Sequence, residues 1–125
     1  MTREQKEKKF VRNEYIKKYK FHIITGDIIW WKILEAENEQ FTPAGTLDSV
    51  VVVNQRNGCI CVWFNEFKAP GKKIIKRRST GIVEENYRYE QLRFVNKMAG
   101  KPKILCTITD TVKEFSMNLK RAREL

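Results

Sequence analysis

Apolar side chains recur at helical spacing from residue 3 to residue 19. Phe10, Val11, Tyr15 and Tyr19 fall on one side, with lysines around them, which predicts a first helix. The pattern then changes. FHIITGDIIWWKIL, residues 21–34, is rich in β-branched and aromatic residues and predicts one or two strands, with Gly26-Asp27 as a turn. Strand alternation puts Trp30 and Trp31 on opposite faces. EAENEQFTPAGT is a polar loop broken by Pro43 and Gly45. Two further apolar runs, 47–54 and 59–68, flank the turn Arg56-Asn57-Gly58, and APGKK ends the second because proline cannot donate to a ladder.

Residues 71–86 read as a long basic connection. In 84–100, Tyr87, Gln91, Phe94, Val95 and Met98 share one face of a second helix that Gly100 stops. KILCTIT, 103–109, predicts a buried strand. Thr111 and Glu114 suggest a capping box for a last helix to about residue 122, with Val112, Phe115, Leu119 and Ala122 inward. The order is helix, three strands, helix, strand, helix. That is an α/β layer with a mixed sheet.

The hairpin fixes a register. A three-residue loop ending in a left-handed glycine makes Gln55 the partner of Cys59, so paired positions sum to 114 (55 + 59). Asp48 then falls opposite Glu66, on one face, with Lys68 two residues further along that face. Two facing carboxylates repel, and a divalent cation removes the repulsion. Mg²⁺ is typically held by one or two carboxylates plus waters and substrate phosphate. A neighbouring lysine can hold a water or the phosphate. This is chemistry that cuts phosphodiesters. The alternative is a plain Asp/Glu–Lys ion pair at a sheet edge.

Charge supports an anionic partner. The chain of 125 residues carries a formal net charge of +10. Residues 1–20 hold eight Lys or Arg against three Glu, and KKIIKRR, 72–78, holds five and no acid. Such clusters favour a polyanion, with nucleic acid ahead of an anionic membrane because the basic segments lack a broad apolar face. The length suits one domain, and no run is long and apolar enough for a membrane helix. The N-terminus lacks the apolar core of a secretion signal. Cys59, Cys61 and Cys106 read as reduced core residues, without the partners a zinc site needs, which points to the cytoplasm. His22, the lone histidine, is a weak acid–base candidate beside an apolar run.

AGTLDSVVVV, NEFKAPGKK, YEQLRFVNKMAG and KILCTITD, in that order, resemble the VRR-NUC branch of the PD-(D/E)xK nuclease superfamily. The resemblance covers roughly residues 44–110. It implies a restriction-endonuclease-like core, a mixed sheet of about four strands flanked by helices, and a Mg²⁺-dependent nuclease, with Mn²⁺ as a substitute. Asp48 and Glu66 would bind the metal, with the Phe67 carbonyl completing the shell. Lys68 would place the attacking water. Gln91 takes the place of the motif glutamine, which otherwise reads as a helix-face amide tied to the backbone. Glu7, with Glu14 next, is the counterpart of the family's first-helix glutamate, although an intrahelical ion pair is the ordinary role there. Lys72, Lys73, Lys76, Arg77 and Arg78 would grip DNA. Small relatives act as symmetric dimers on branched DNA, which makes a homodimer the implied state. Leu47 stands where the superfamily has proline, and IIKRRSTGIVEENY looks inserted. The rival reading is a non-catalytic nucleic-acid-binding or interaction module.

Overall fold

The computed structural model describes residues 2–34, 45–71, 75–77, 83–85 and 89–125. Helix α1 spans Arg3–Thr25. Thr2 begins it with a reciprocal capping box: Gln5 N donates to Thr2 Oγ1 (3.2 Å), and Thr2 N donates to Gln5 Oε1 (2.8 Å). The helix runs past residue 19 and takes in FHIIT, where the sequence pattern predicts the start of a strand. The cause is the inward row. Val11, Tyr15 and Tyr19 are buried, and His22 continues the row one turn further, while Ile23 and Ile24 face outward. The chain leaves the helix only where Gly26 adopts φ +85° and donates to Ile23 O. Phe10 lies one step round from this row and is 68% exposed, contrary to the inward placement its spacing predicts.

Strand β1 is Ile28–Ile33, β2 is Ser49–Asn54 and β3 is Ile60–Phe67. The β2–β3 pairs run from Ser49↔Asn65 to Asn54↔Ile60, each summing to 114, so the register predicted from the turn is the register observed. Gln55 N donates to Cys59 O (2.9 Å), and Gly58 has φ +86°. A bulge between Ile28 and Trp30 lets Ile28 share the core face with Trp31. Trp30 points to the other face and is 49% exposed.

The basic connection holds two short strands that the sequence pattern does not reveal. These are β4, Ile75–Arg77, and β5, Val83–Glu85, paired antiparallel. Because β5 takes residues 83–85, α2 is shorter than its apolar pattern predicts and spans Tyr89–Met98. Strand β6, Ile104–Thr109, lies parallel to β3, and α3 spans Val112–Glu124. Thr111 Oγ1 accepts from Glu114 N (3.2 Å), but Glu114 Oε2 reaches back to Asp110 N, so the predicted capping box closes one residue early.

The main sheet has the order β1-β2-β3-β6. It is antiparallel except for β3–β6, and so is the mixed α/β sheet of four strands flanked by helices that was expected. Helices α1 and α3 cover one face. There Tyr15 stacks on Phe67 (4.7 Å), Tyr19 on Trp31 (4.6 Å), and Phe115 meets the edge of Tyr19 (4.9 Å). Each such pair adds ~0.5–1.5 kcal/mol beyond its buried area. A polar chain crosses the same face. Tyr19 Oη bonds Ser49 Oγ, Asn65 Oδ1 accepts from Thr107 Oγ1, Thr107 Oγ1 accepts from Trp63 Nε1, and Asn65 Nδ2 donates to Thr109 Oγ1. These partners offset the cost of burying polar groups beneath the end of β3.

Helix α2 covers the opposite face, where Phe94 meets Phe64 edge-on at 5.1 Å. Cys61 is buried and Cys106 half-buried, but Cys59 sits in the hairpin turn and is exposed, which corrects its core assignment; all three are free thiols. Among the described residues, no helix is long and apolar enough to cross a membrane.

Candidate functional site

Pleating sends Trp63, Asn65 and Phe67 toward α1 and α3, and Phe64, Glu66 and Lys68 toward α2. Glu66 is therefore on the α2 face near the end of β3, and it is buried. Asp48 sits one residue before β2, beyond the last ladder pair Ser49↔Asn65, where the same register extended by one residue puts it opposite Glu66. It is held there twice. Its carbonyl accepts from Leu34 N (2.7 Å), and its Oδ2 accepts from Phe67 N (3.1 Å).

The two carboxyls lie close enough to act on each other's charge. Burial, then the neighbouring carboxyl of Asp48 and its negative charge, raise the Glu66 pKa to about 9, against weaker opposing pulls from Lys68 and Lys8. Gln91, buried on α2, donates its side-chain amide to Glu66 Oε2. Its partner is thus the carboxylate of the site.

Lys68 N donates to Thr109 O (2.9 Å), so Phe67 directs its peptide groups to the other side of the strand, where Asp48 takes the N–H. The Phe67 carbonyl shares that direction. The geometry thus brings Asp48, Glu66, Lys68, Gln91 and the Phe67 backbone to one end of the sheet.

Glu7 pairs with Arg3 (3.2 Å) along α1, and Glu14 pairs with Lys17 (3.1 Å). From α1, Lys8 reaches Asp48, with Nζ 3.8 Å from Oδ2. Lys76 and Arg77 lie on β4, with backbone partners Glu84 and Val83. Lys72, Lys73 and Arg78 fall outside the described residues. His22 is at the far end of the sheet. Its Nδ1 bonds Asp27 Oδ2 (3.0 Å), and Arg123 takes Asp27 Oδ1 (3.2 Å), so it has no part in the carboxylate cluster.

Two residues of the site have no chemical signature in the sequence. Gly45 has φ +83°, and a Cβ there would collide with the Glu90 carbonyl at the start of α2. Its closeness to the backbone beside Gln91 sets where that helix begins. Lys8 is one of many lysines on α1 and only the fold singles it out.

Among the described residues, no group of three or more His, Cys, Asp or Glu is arranged to hold a metal. The donor set is two carboxylates and a carbonyl. Two neighbouring carboxyls, one of them buried and protonated, can give up that proton for a divalent cation, and this donor count suits Mg²⁺, which keeps several waters. Compared with known proteins, the chain matches no family model, no curated protein and no solved structure.

Proposed function

We propose that this protein is a Mg²⁺-dependent DNA nuclease that hydrolyses phosphodiester bonds, with branched or flap DNA as the structures to test first. The observation that carries the reading is the Asp48–Glu66 carboxyl pair at the end of the β2–β3 hairpin, with Lys68 beside it and Gln91 bonded to Glu66. A module built only to bind nucleic acid gains nothing from an acid pair, one member of it buried, where phosphate must approach. When bound, Mg²⁺ would supply charge neutralisation at a phosphate oxygen and a lowered pKa for the attacking water.

The chain's own residues do the rest. Asp48 and Glu66 would hold the cation in their ionised forms, so Glu66 would give up its proton on loading. Gln91 keeps the Glu66 carboxyl in one orientation through both states. Lys68 donates hydrogen bonds to the phosphate and the incoming water, offsetting the negative charge that builds in the transition state. The cationic segment 72–78 and the lysines of α1 attract the backbone without reading bases. The resemblance to VRR-NUC nucleases, carried by Asp48, Glu66, Lys68 and Gln91, points the same way.

The test is one panel. Single-stranded, duplex, flap and four-way DNA are incubated with the protein in Mg²⁺, Mn²⁺ or EDTA, beside Asp48→Asn and Glu66→Gln. Metal-dependent cleavage by the wild type, lost in both variants while binding persists, is the expected result. Binding without cleavage under every condition would leave the non-catalytic nucleic-acid module.

A further inference from the structure

A second cleft opens on the other side of Asp48. It has a volume of about 50 Å³ and lies between the N-terminal half of α1 and the ends of β1–β3. Lys8, Arg12, Ile33, Leu34, Asp48 and Phe67 line it. Lys8 and Arg12 are one turn apart on α1, so they stand side by side on one face of the helix. Two cations therefore face one carboxylate. That carboxylate is also the one the proposed metal would engage.

We infer that Lys8 and Arg12 form a phosphate clamp, holding a backbone phosphate of the nucleic acid at the reaction centre. Three observations favour a phosphate over other occupants. The cleft is below the ~300 Å³ at which pockets begin to enclose drug-sized ligands, so a nucleoside does not fit inside it. Its cations come from a rigid helix, and the Arg12 guanidinium offers a planar fork suited to phosphate oxygens. Finally, the Lys8–Asp48 contact is long (3.8 Å) and half-exposed on the lysine side. An exposed ion pair of that kind contributes little, so Lys8 can exchange it for a phosphate.

A larger cleft lies at the far end of the sheet, where Lys120 lines the wall and His22 and Arg123 both bond Asp27. The clamp rests on the nuclease reading only for the identity of the phosphate as the one beside the cleaved bond.

The test compares Lys8→Ala, Arg12→Ala and Lys120→Ala, the last removing the same charge at the far cleft. DNA affinity is measured in EDTA across several salt concentrations, KM and kcat in Mg²⁺, and Mg²⁺ affinity by calorimetry without DNA. Lys8→Ala and Arg12→Ala should each weaken DNA binding about tenfold and lower the salt slope by about 0.9. Lys120→Ala should change neither. Lys8→Ala should hold or tighten Mg²⁺ affinity, since it removes a like charge. Unchanged DNA affinity in both clamp variants, with tighter Mg²⁺ binding in Lys8→Ala, would reduce Lys8 to an ion-pair partner of Asp48 and overturn the clamp. If Arg12→Ala fails to fold, Arg12→Gln and Lys8→Gln give the same comparison, and Arg12→Lys should recover part of the affinity. A wild type that binds but never cleaves, with binding lost in the clamp variants, would sink the nuclease reading and leave the clamp. Cleavage with wild-type binding in the clamp variants would do the reverse. No DNA affinity in the wild type would overturn both.

Discussion

Gln91 donates its side-chain amide to Glu66 Oε2, so a residue of α2 holds the buried carboxyl of β3 from across the sheet face. Gln91→Ala removes that donor and leaves Glu66 Oε2 buried. Leaving a buried acceptor without its donor costs ~1–3 kcal/mol. Denaturant unfolding of Gln91→Ala should show this loss. If the site is catalytic, kcat should fall as well, because the carboxyl is no longer held in one orientation.

Glu66 also sets a pH dependence. Its pKa rises from 4.5 in the unfolded chain to about 9 in the folded one, through burial and the carboxyl of Asp48. Between those values the folded state keeps a proton that the unfolded state has released. The contribution of this group is therefore full below pH 4.5, falls as pH rises through the window and levels off above 9. Metal-free wild type should lose a few kcal/mol from this group between about pH 5 and about pH 9. Glu66→Gln keeps the shape without the proton, so its unfolding midpoint should fall much less over the same range. Parallel pH profiles for the two proteins would show that the folded chain does not keep Glu66 protonated. Mg²⁺ added at about pH 8 should stabilise the wild type and not Glu66→Gln.

Gly45→Ala should disturb α2 without touching a charged group. The left-handed φ of +83° costs an alanine ~1–2 kcal/mol. Overlap with the Glu90 carbonyl forces the helix start to move and adds to that. A total of roughly 2–4 kcal/mol is expected. Since the shift also breaks the Gln91–Glu66 bond, Gly45→Ala and Gln91→Ala should be less than additive when combined. Full additivity in unfolding experiments would separate the loop from the clasp.

The basic segment makes a different prediction. Lys76, Arg77 and Arg78 changed together to alanine should weaken binding to all DNA sequences alike. The salt slope should fall by about 0.9 for each phosphate that is no longer neutralised. Mg²⁺ affinity should hardly change. An unaltered slope with unaltered affinity would assign these charges to solvent and leave the grip to α1.

The hairpin was legible because its signals are local. Arg56-Asn57-Gly58 sets the turn, alternation sets the faces, and together they carry Asp48 to Glu66 through the observed register. Gln91 was legible by its place on the inward face of a helix, although not the atom it would bond. The end of α1 is not legible from local pattern because the β propensity of FHIIT is weaker than the pull of the Val11–Tyr15–Tyr19 row and the stop at Gly26. The β4–β5 pair lies in a stretch whose charges hide any alternation. Lys8 could not be told from its neighbours because a helical lysine acquires a role only from what the sheet puts opposite it.

The mixed pairing of β3 has a bearing on synthesis. Its antiparallel partner β2 precedes it across a short turn, while its parallel partner β6 follows only after the whole connection from Lys68 to Lys103. Closing the turn loses little chain entropy, and closing the crossover loses more. On the ribosome the hairpin can therefore form and bring Asp48 beside Glu66 before Gln91 or β6 has been made. Until then one side of β3, from Val62 to Phe67, displays bare peptide groups along a strongly apolar strand. Such an edge is a template for pairing with other chains. A chain cut short before Ile104 keeps that edge for good, so truncation products should aggregate through β3.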